Sequence, residues 1–84
     1  MSAEAFVLIN TQIGAEEEVL KILREIGEVE EAFIVYGVYD IIAKVKAENL
    51  DKLREIITWK IRKIKKVMST TTMVVMEKSV KPHD

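Results

Sequence analysis

The residues with the most chemistry stand at Gly37, Val38, Tyr39 and Asp40, where the chain's one Tyr-Asp pair follows a glycine. Glycine is the residue that most easily reaches φ > 0 in a tight turn, and it lets a second backbone or a ligand approach closely. Asp40 offers a carboxylate and Tyr39 a phenol. Further along, Ser69, Thr70, Thr71 and Thr72 add four adjacent hydroxyls. Turn amides, one carboxylate and several hydroxyls suit a zwitterion, with Asp40 for the ammonium and the amides or hydroxyls for the carboxylate. The plainer reading is local. Gly and Asp are favoured in any turn, and threonine favours strands whatever its task. Both readings fit these residues taken alone.

Other chemistries find little material. The chain has no cysteine, which removes disulfides, thiolate catalysis and zinc–sulfur sites. Its one histidine, His83, follows Pro82 in a polar tail. Neither a phosphate loop nor metal-ligand spacing occurs, so no cofactor, no metal and no catalytic residue is expected. Glu16, Glu17 and Glu18 fit first-turn partners of a helix dipole, with Glu17–Lys21 a favourable helical pair. Glu28, Glu30 and Glu31 read as a solvated flank. Lys60, Arg62, Lys63, Lys65 and Lys66 lie beside Trp59, and such a run could meet phosphates while the indole stacks on a base. Cations also gather at the negative end of any helix. An RNA-binding sheet would carry aromatics on its middle strands, and only Phe6 answers to that here. Direct nucleic-acid binding is not expected.

The elements that must position these groups follow from patterning. At 49% hydrophobic and 32% charged residues, the 84-residue chain reads as one compact domain. A chain this short buries only about 60–65% of its unfolded surface, so it gains much from association. A net charge of −1 gives no general attraction to nucleic acid or anionic membrane. With no basic leader and no apolar run of spanning length, the expected location is the cytoplasm. Two Asn, one Gln and the high charge lean towards a thermophilic source.

Ala5–Thr11 is a continuous apolar run, suited to a strand buried on both faces. Gly14 breaks it, and an amphipathic helix is expected over Ala15–Ile26, with Gly27 as its left-handed cap. Val29–Val35 and Asp40–Lys46 read as strands joined at Gly37, and Ile41, Ala43 and Val45 mark one face of the second. Asn49 is a good N-cap. The following helix runs to about Ile64, its core stripe being Leu50, Leu53, Ile57, Ile61 and Ile64. Off that stripe, Ile56 and Trp59 form a lateral apolar patch, expected to pack dimer against dimer. Met68–Met76 is the last strand. Residues 1–77 make the domain and 78–84 a polar tail.

The order β-α-β-β-α-β describes an α+β, ferredoxin-like sandwich: a four-stranded antiparallel sheet with both helices on one face. Several strands are apolar on both sides, yet two helices cover only one. A soluble monomer avoids such a bare face, so a symmetric homodimer packed sheet to sheet is expected.

The run V-Y-G-V-Y-D-I-I-A-K-V, the helix opening N-L-D-K-L and the strand S-T-T-T-M-V-V-M resemble the effector-binding module of the Lrp/AsnC (feast/famine) transcription regulators, also called the RAM domain. The resemblance covers about residues 4–77. It implies dimers formed sheet to sheet, rings of dimers such as octamers or decamers, and a free amino acid or similar metabolite bound between subunits. Carried onto this chain, the implied contacts are Gly37, Val38, Tyr39 and Asp40 with Thr70, Thr71 and Thr72, and Phe33 and Val35 lining the pocket. Full-length members place a helix-turn-helix domain before this module. Here the first strand begins within a few residues of Met1, so the expectation is a stand-alone form that senses an amino acid without reading DNA. Two alternatives stand beside it: an assembly partner of a full-length regulator with no ligand of its own, and a small enzyme of the dimeric α+β-barrel type.

Overall fold

The computed structural model describes residues 2–82. Strand β1 (Ala3–Thr11) leads through a short turn into helix α1 (Glu16–Arg24), then β2 (Val29–Ile34) and β3 (Ile41–Ala47). Helix α2 (Leu50–Ile56) passes without a break into one π-helical turn, Ile57–Ile61, before the last strand β4 (Val67–Val74). The sheet order is β2-β3-β1-β4, with antiparallel neighbours throughout. This is the ferredoxin-like βαββαβ arrangement that the pattern predicts.

Strand alternation sorts the sheet into two faces. Ala5, Val7, Ile9, Ile41, Ala43 and Val45 point to the helices and are fully buried. Val19 and Leu23 of α1 close on them, as do Leu53, Ile57 and Ile61 of the second helical segment. On the opposite face Phe33, Ile42, Leu8 and Thr71 form one row across all four strands. Lys44, Phe6 and Met73 form the next. No helix covers these rows. Phe33 is 50% exposed and Met73 51%, which bears out an uncovered face carrying apolar side chains.

Local chemistry explains the ends of the elements. The Asn49 side chain accepts from the backbone N–H of Lys52 at 2.8 Å, an N-cap worth about 1 kcal/mol. Gly14 sits at φ +82°, where a side chain would be strained, and its N–H reaches Glu16 Oε1 at 3.3 Å. Gly27 is not in the left-handed region, contrary to its expected role as a cap. Helix α1 instead ends at Arg24 in tight turns, with the N–H of Glu25 and of Ile26 donating to Ile22 and Leu23. Gly37 does not adopt positive φ either. The β2–β3 connection is six residues long, closed by Val35 N–H donating to the Asp40 carbonyl at 2.9 Å, so no two-residue turn has to be strained.

Two apolar side chains of α2 exchange their expected places. Ile56 is only 6% exposed and belongs to the core, because the apolar stripe is wide enough to take both Ile56 and Ile57. Leu50, expected in that stripe, is 47% exposed at the first turn. Trp59 does lie outside, its ring under the Lys63 ammonium at 5.2 Å.

Candidate functional site

The β2–β3 connection carries the predicted site, and Asp40 fixes its position. Its backbone N–H donates to the Ile9 carbonyl at 3.0 Å. Its Oδ2 accepts the Thr11 backbone N–H at 2.8 Å and lies 3.4 Å from the Thr11 hydroxyl. Thr11 is the buried polar residue at the end of β1. A buried N–H without an acceptor costs about 1–3 kcal/mol, so Asp40 has a structural task before any ligand arrives. That task was not legible in the sequence, because it depends on a residue 29 positions away.

Tyr39 turns onto the uncovered face, where its hydroxyl meets Thr71 Oγ1 at 3.3 Å. The turn and the last strand are thus joined within one chain. Phe33 stands on the same face, with two strands between it and Thr71. Val35 is half-buried where the connection leaves β2. Gly37 and Val38 form the exposed tip, and a Cβ added at Gly37 would meet nothing within 4 Å.

Thr70 and Thr72 are not part of this cluster. In β4 alternate residues point to opposite faces, so Thr71 faces Tyr39 while Thr70 and Thr72 face the helix layer. There they line a separate groove between α2 and β4, with Thr58, Arg54 and Arg62. The run of hydroxyls is split between two surfaces. Sequence reasoning also missed Ile13, fully exposed in the β1–α1 turn, which joins the exposed Tyr36 and Val38 at the same end of the sheet. A lone isoleucine between Gln12 and Gly14 was the signal available.

Elsewhere the charges are paired as solvated faces. Glu4, at the far end of the uncovered face, holds Lys78 and Lys44, and the hydrogen bond from Lys78 is the largest cause that keeps its carboxyl below the ordinary value of 4.5. Glu28 is lowered too, by its own backbone N–H first and then by Lys60. Helix α1 uses Glu18 with Lys66 at 2.9 Å among the described ion pairs, where the sequence suggested Glu17 with Lys21. Of the basic run, Lys60, Lys63 and Lys66 are occupied by Glu28, the Trp59 ring and Glu18. A second depression lies between Trp59 and Ile56, walled by Glu28, Glu48, Lys52 and Lys60. Among the described residues no group of acidic or histidine side chains is placed to hold a metal ion. No helix there is long and apolar enough to cross a membrane.

A profile of the Lrp/AsnC ligand-binding domain matches residues 4–84. A proline dehydrogenase transcriptional activator of Rhizobium radiobacter is 38% identical over 70 residues, which cover 83% of this chain and 45% of that protein. The chain spans about half the length of the curated relatives it matches. A hypothetical protein of Pyrococcus horikoshii, of known crystal structure, is 40% identical with a TM-score of 0.84 and full coverage of both chains. Escherichia coli AsnC superposes with a TM-score of 0.89 at 26% identity, over 98% of this chain and 56% of that one. The curated relatives are named as regulators of transcription.

Proposed function

Because the chain belongs to the family of Lrp/AsnC ligand-binding domains, we propose that it is a cytoplasmic, oligomeric sensor of a free amino acid that modulates transcription without itself touching DNA. One observation carries the proposal: Tyr39 and Thr71 meet on the uncovered face beside a glycine that its own chain does not require. Gly37 neither adopts positive φ nor lies against a neighbour. An unobstructed backbone of this kind suits the approach of a molecule from outside.

In this reading the amides of Gly37 and Val38, with the hydroxyls of Tyr39 and Thr71, take the ligand carboxylate. Asp40 receives the ammonium while Thr11 holds it in place, and Phe33 and Val35 supply apolar wall. A second copy covers the face of Phe33, Phe6 and Met73 sheet to sheet. Ile13, Tyr36 and Val38 at the sheet end, and Trp59 on the helix layer, are surfaces on which further copies or a full-length regulator would close.

The test is thermal unfolding in the presence of each of the twenty free amino acids. A ligand at a hundred times its dissociation constant adds about 2.7 kcal/mol, a clear rise in midpoint. Gly37→Ala has room for its methyl group, so its unliganded midpoint should match the parent while the response disappears. A response retained in that variant would move the site elsewhere, and silence towards all twenty would remove the sensor reading.

A further inference from the structure

The groove between α2 and β4 differs in kind from the site just described. Its polar lining is Arg54, Arg62, Thr58, Thr70 and Thr72, and its floor is Leu50, Leu53 and Ile57. The space is about 490 Å³, within the usual range for small-molecule sites. No acidic residue lines it. The depression beside Trp59, in contrast, carries Glu28, Glu48 and Glu55 against three lysines. Among the described residues every ion pair uses a lysine, so neither arginine is engaged with a carboxylate of its own chain. In a protein of net charge −1 this is a local surplus of two permanent positive charges.

The π-helical turn explains how the two arginines come to share one wall. Eight residues along a regular α-helix would leave Arg54 and Arg62 about 80° apart at roughly 100° per residue. Here Arg62 N–H donates to the Ile57 carbonyl five residues back at 2.9 Å, which takes one extra residue into that turn. The step then counts as seven residues, and the two side chains differ by only about 20°. Thr58 lies between them. β4 is an edge strand, so Thr70 and Thr72 face the arginines across an opening with no further strand.

We propose that this groove binds a small aliphatic carboxylate that lacks an ammonium group, such as a branched 2-oxo acid, between Arg54 and Arg62. Guanidinium groups pair with a carboxylate through two parallel N–H donors, and the threonine hydroxyls complete the polar half. Leu50, Leu53 and Ile57 receive the aliphatic half. An ammonium would meet two like charges and no counter-charge, so the groove selects against the zwitterion that the Tyr39–Asp40 site suits. The proposal is independent of that site.

The experiment is a titration of the isotope-labelled full chain followed by amide NMR, with 4-methyl-2-oxopentanoate, L-leucine and inorganic phosphate as separate probes. The oxo acid should shift the amides of Thr58, Thr70 and Thr72 saturably. Its affinity should fall by at least about tenfold in the Arg54→Gln/Arg62→Gln variant, whose changes sit at exposed positions. Gly37→Ala should leave this binding unchanged, which separates failure here from failure of the amino-acid site. L-Leucine binding here as tightly as the oxo acid would overturn the proposal. So would phosphate binding equally well, since the apolar floor would then play no part, or no shift at these threonines.

Discussion

The two sides of strand β4 carry the same residue type and opposite chemistry. Thr71 faces the uncovered side, where it meets the Tyr39 phenol of the β2–β3 connection, whose next residue, Asp40, gives its carboxylate to Thr11. Thr70 and Thr72, one residue to either side, face two arginines and no acid. The difference comes from the elements opposite. The β2–β3 connection brings its acid because Asp40 must hold the end of β1, and α2 brings its cations because the π-turn rotates Arg62 back towards Arg54. A run of like residues in a strand is therefore divided between two surfaces, and the partner element sets the chemistry of each.

The largest expected effect comes from breaking one side only. Phe33→Lys with Met73→Lys places two cations on the uncovered face, where an unpaired buried charge costs about 3–5 kcal/mol if a second copy covers it. Sedimentation should show the particle fall to monomers, with loss of the amino-acid response. The α2–β4 groove, on the other face, should keep its ligand. An unaltered mass would mean that this face is not where copies join.

Next in size is Asp40. Asp40→Ala strands the Thr11 N–H and should lower stability by about 1–3 kcal/mol in chemical denaturation. Asp40→Asn keeps an acceptor for that N–H and removes only the charge. It should restore most of the stability without restoring amino-acid binding. If both variants bind normally, Asp40 serves the fold alone.

A smaller pair of changes tests the division of the strand directly. Thr71→Val removes the partner of Tyr39 and should weaken the amino acid by about 0.5–1.5 kcal/mol in calorimetry, leaving the oxo acid untouched. Thr72→Val should do the reverse. Equal losses from both would mean that the two surfaces are one site.

The sequence made the order of elements and the sheet's two apolar faces legible, because periodicity is local. What it hid was non-local. The pairing of Asp40 with Thr11 joins residues 29 apart, and nothing near Asp40 announces it. Thr70 to Thr72 looked like one group because adjacency in sequence was read as adjacency in space, although strand period alone places Thr71 opposite its neighbours. The interchange of Ile56 and Leu50 has a related cause. A uniform 100° step keeps Leu50 in the stripe and Ile56 out, whereas the packed helix buries a broader stripe and a π-turn shifts the later residues. The π-turn left no clear mark, since Ile57–Ile61 contains neither Gly nor Pro.

Acid should separate the two sides once more, and by the smallest amount. Glu4 stands on the uncovered face and is held below 4.5 chiefly by the Lys78 hydrogen bond, with burial opposing and the charges of Lys78 and Lys44 assisting. Its folded pKa is depressed, so its contribution is complete above the ordinary glutamate value and is lost as pH falls through the depressed one. The bond at stake ties the segment after β4 to the start of β1, where Val75 N–H also donates to the Glu4 carbonyl at 2.9 Å. Below pH 4.5, the protection of the Val75 amide against exchange, taken relative to its intrinsic rate at each pH, should therefore fall, and Lys78→Gln should abolish that fall. No carboxylate lines the groove of Arg54 and Arg62, so the protection of its amides should stay constant across the same interval. A parallel change on both sides would mean that acid loosens the whole sheet, and that Glu4 is not the group responsible.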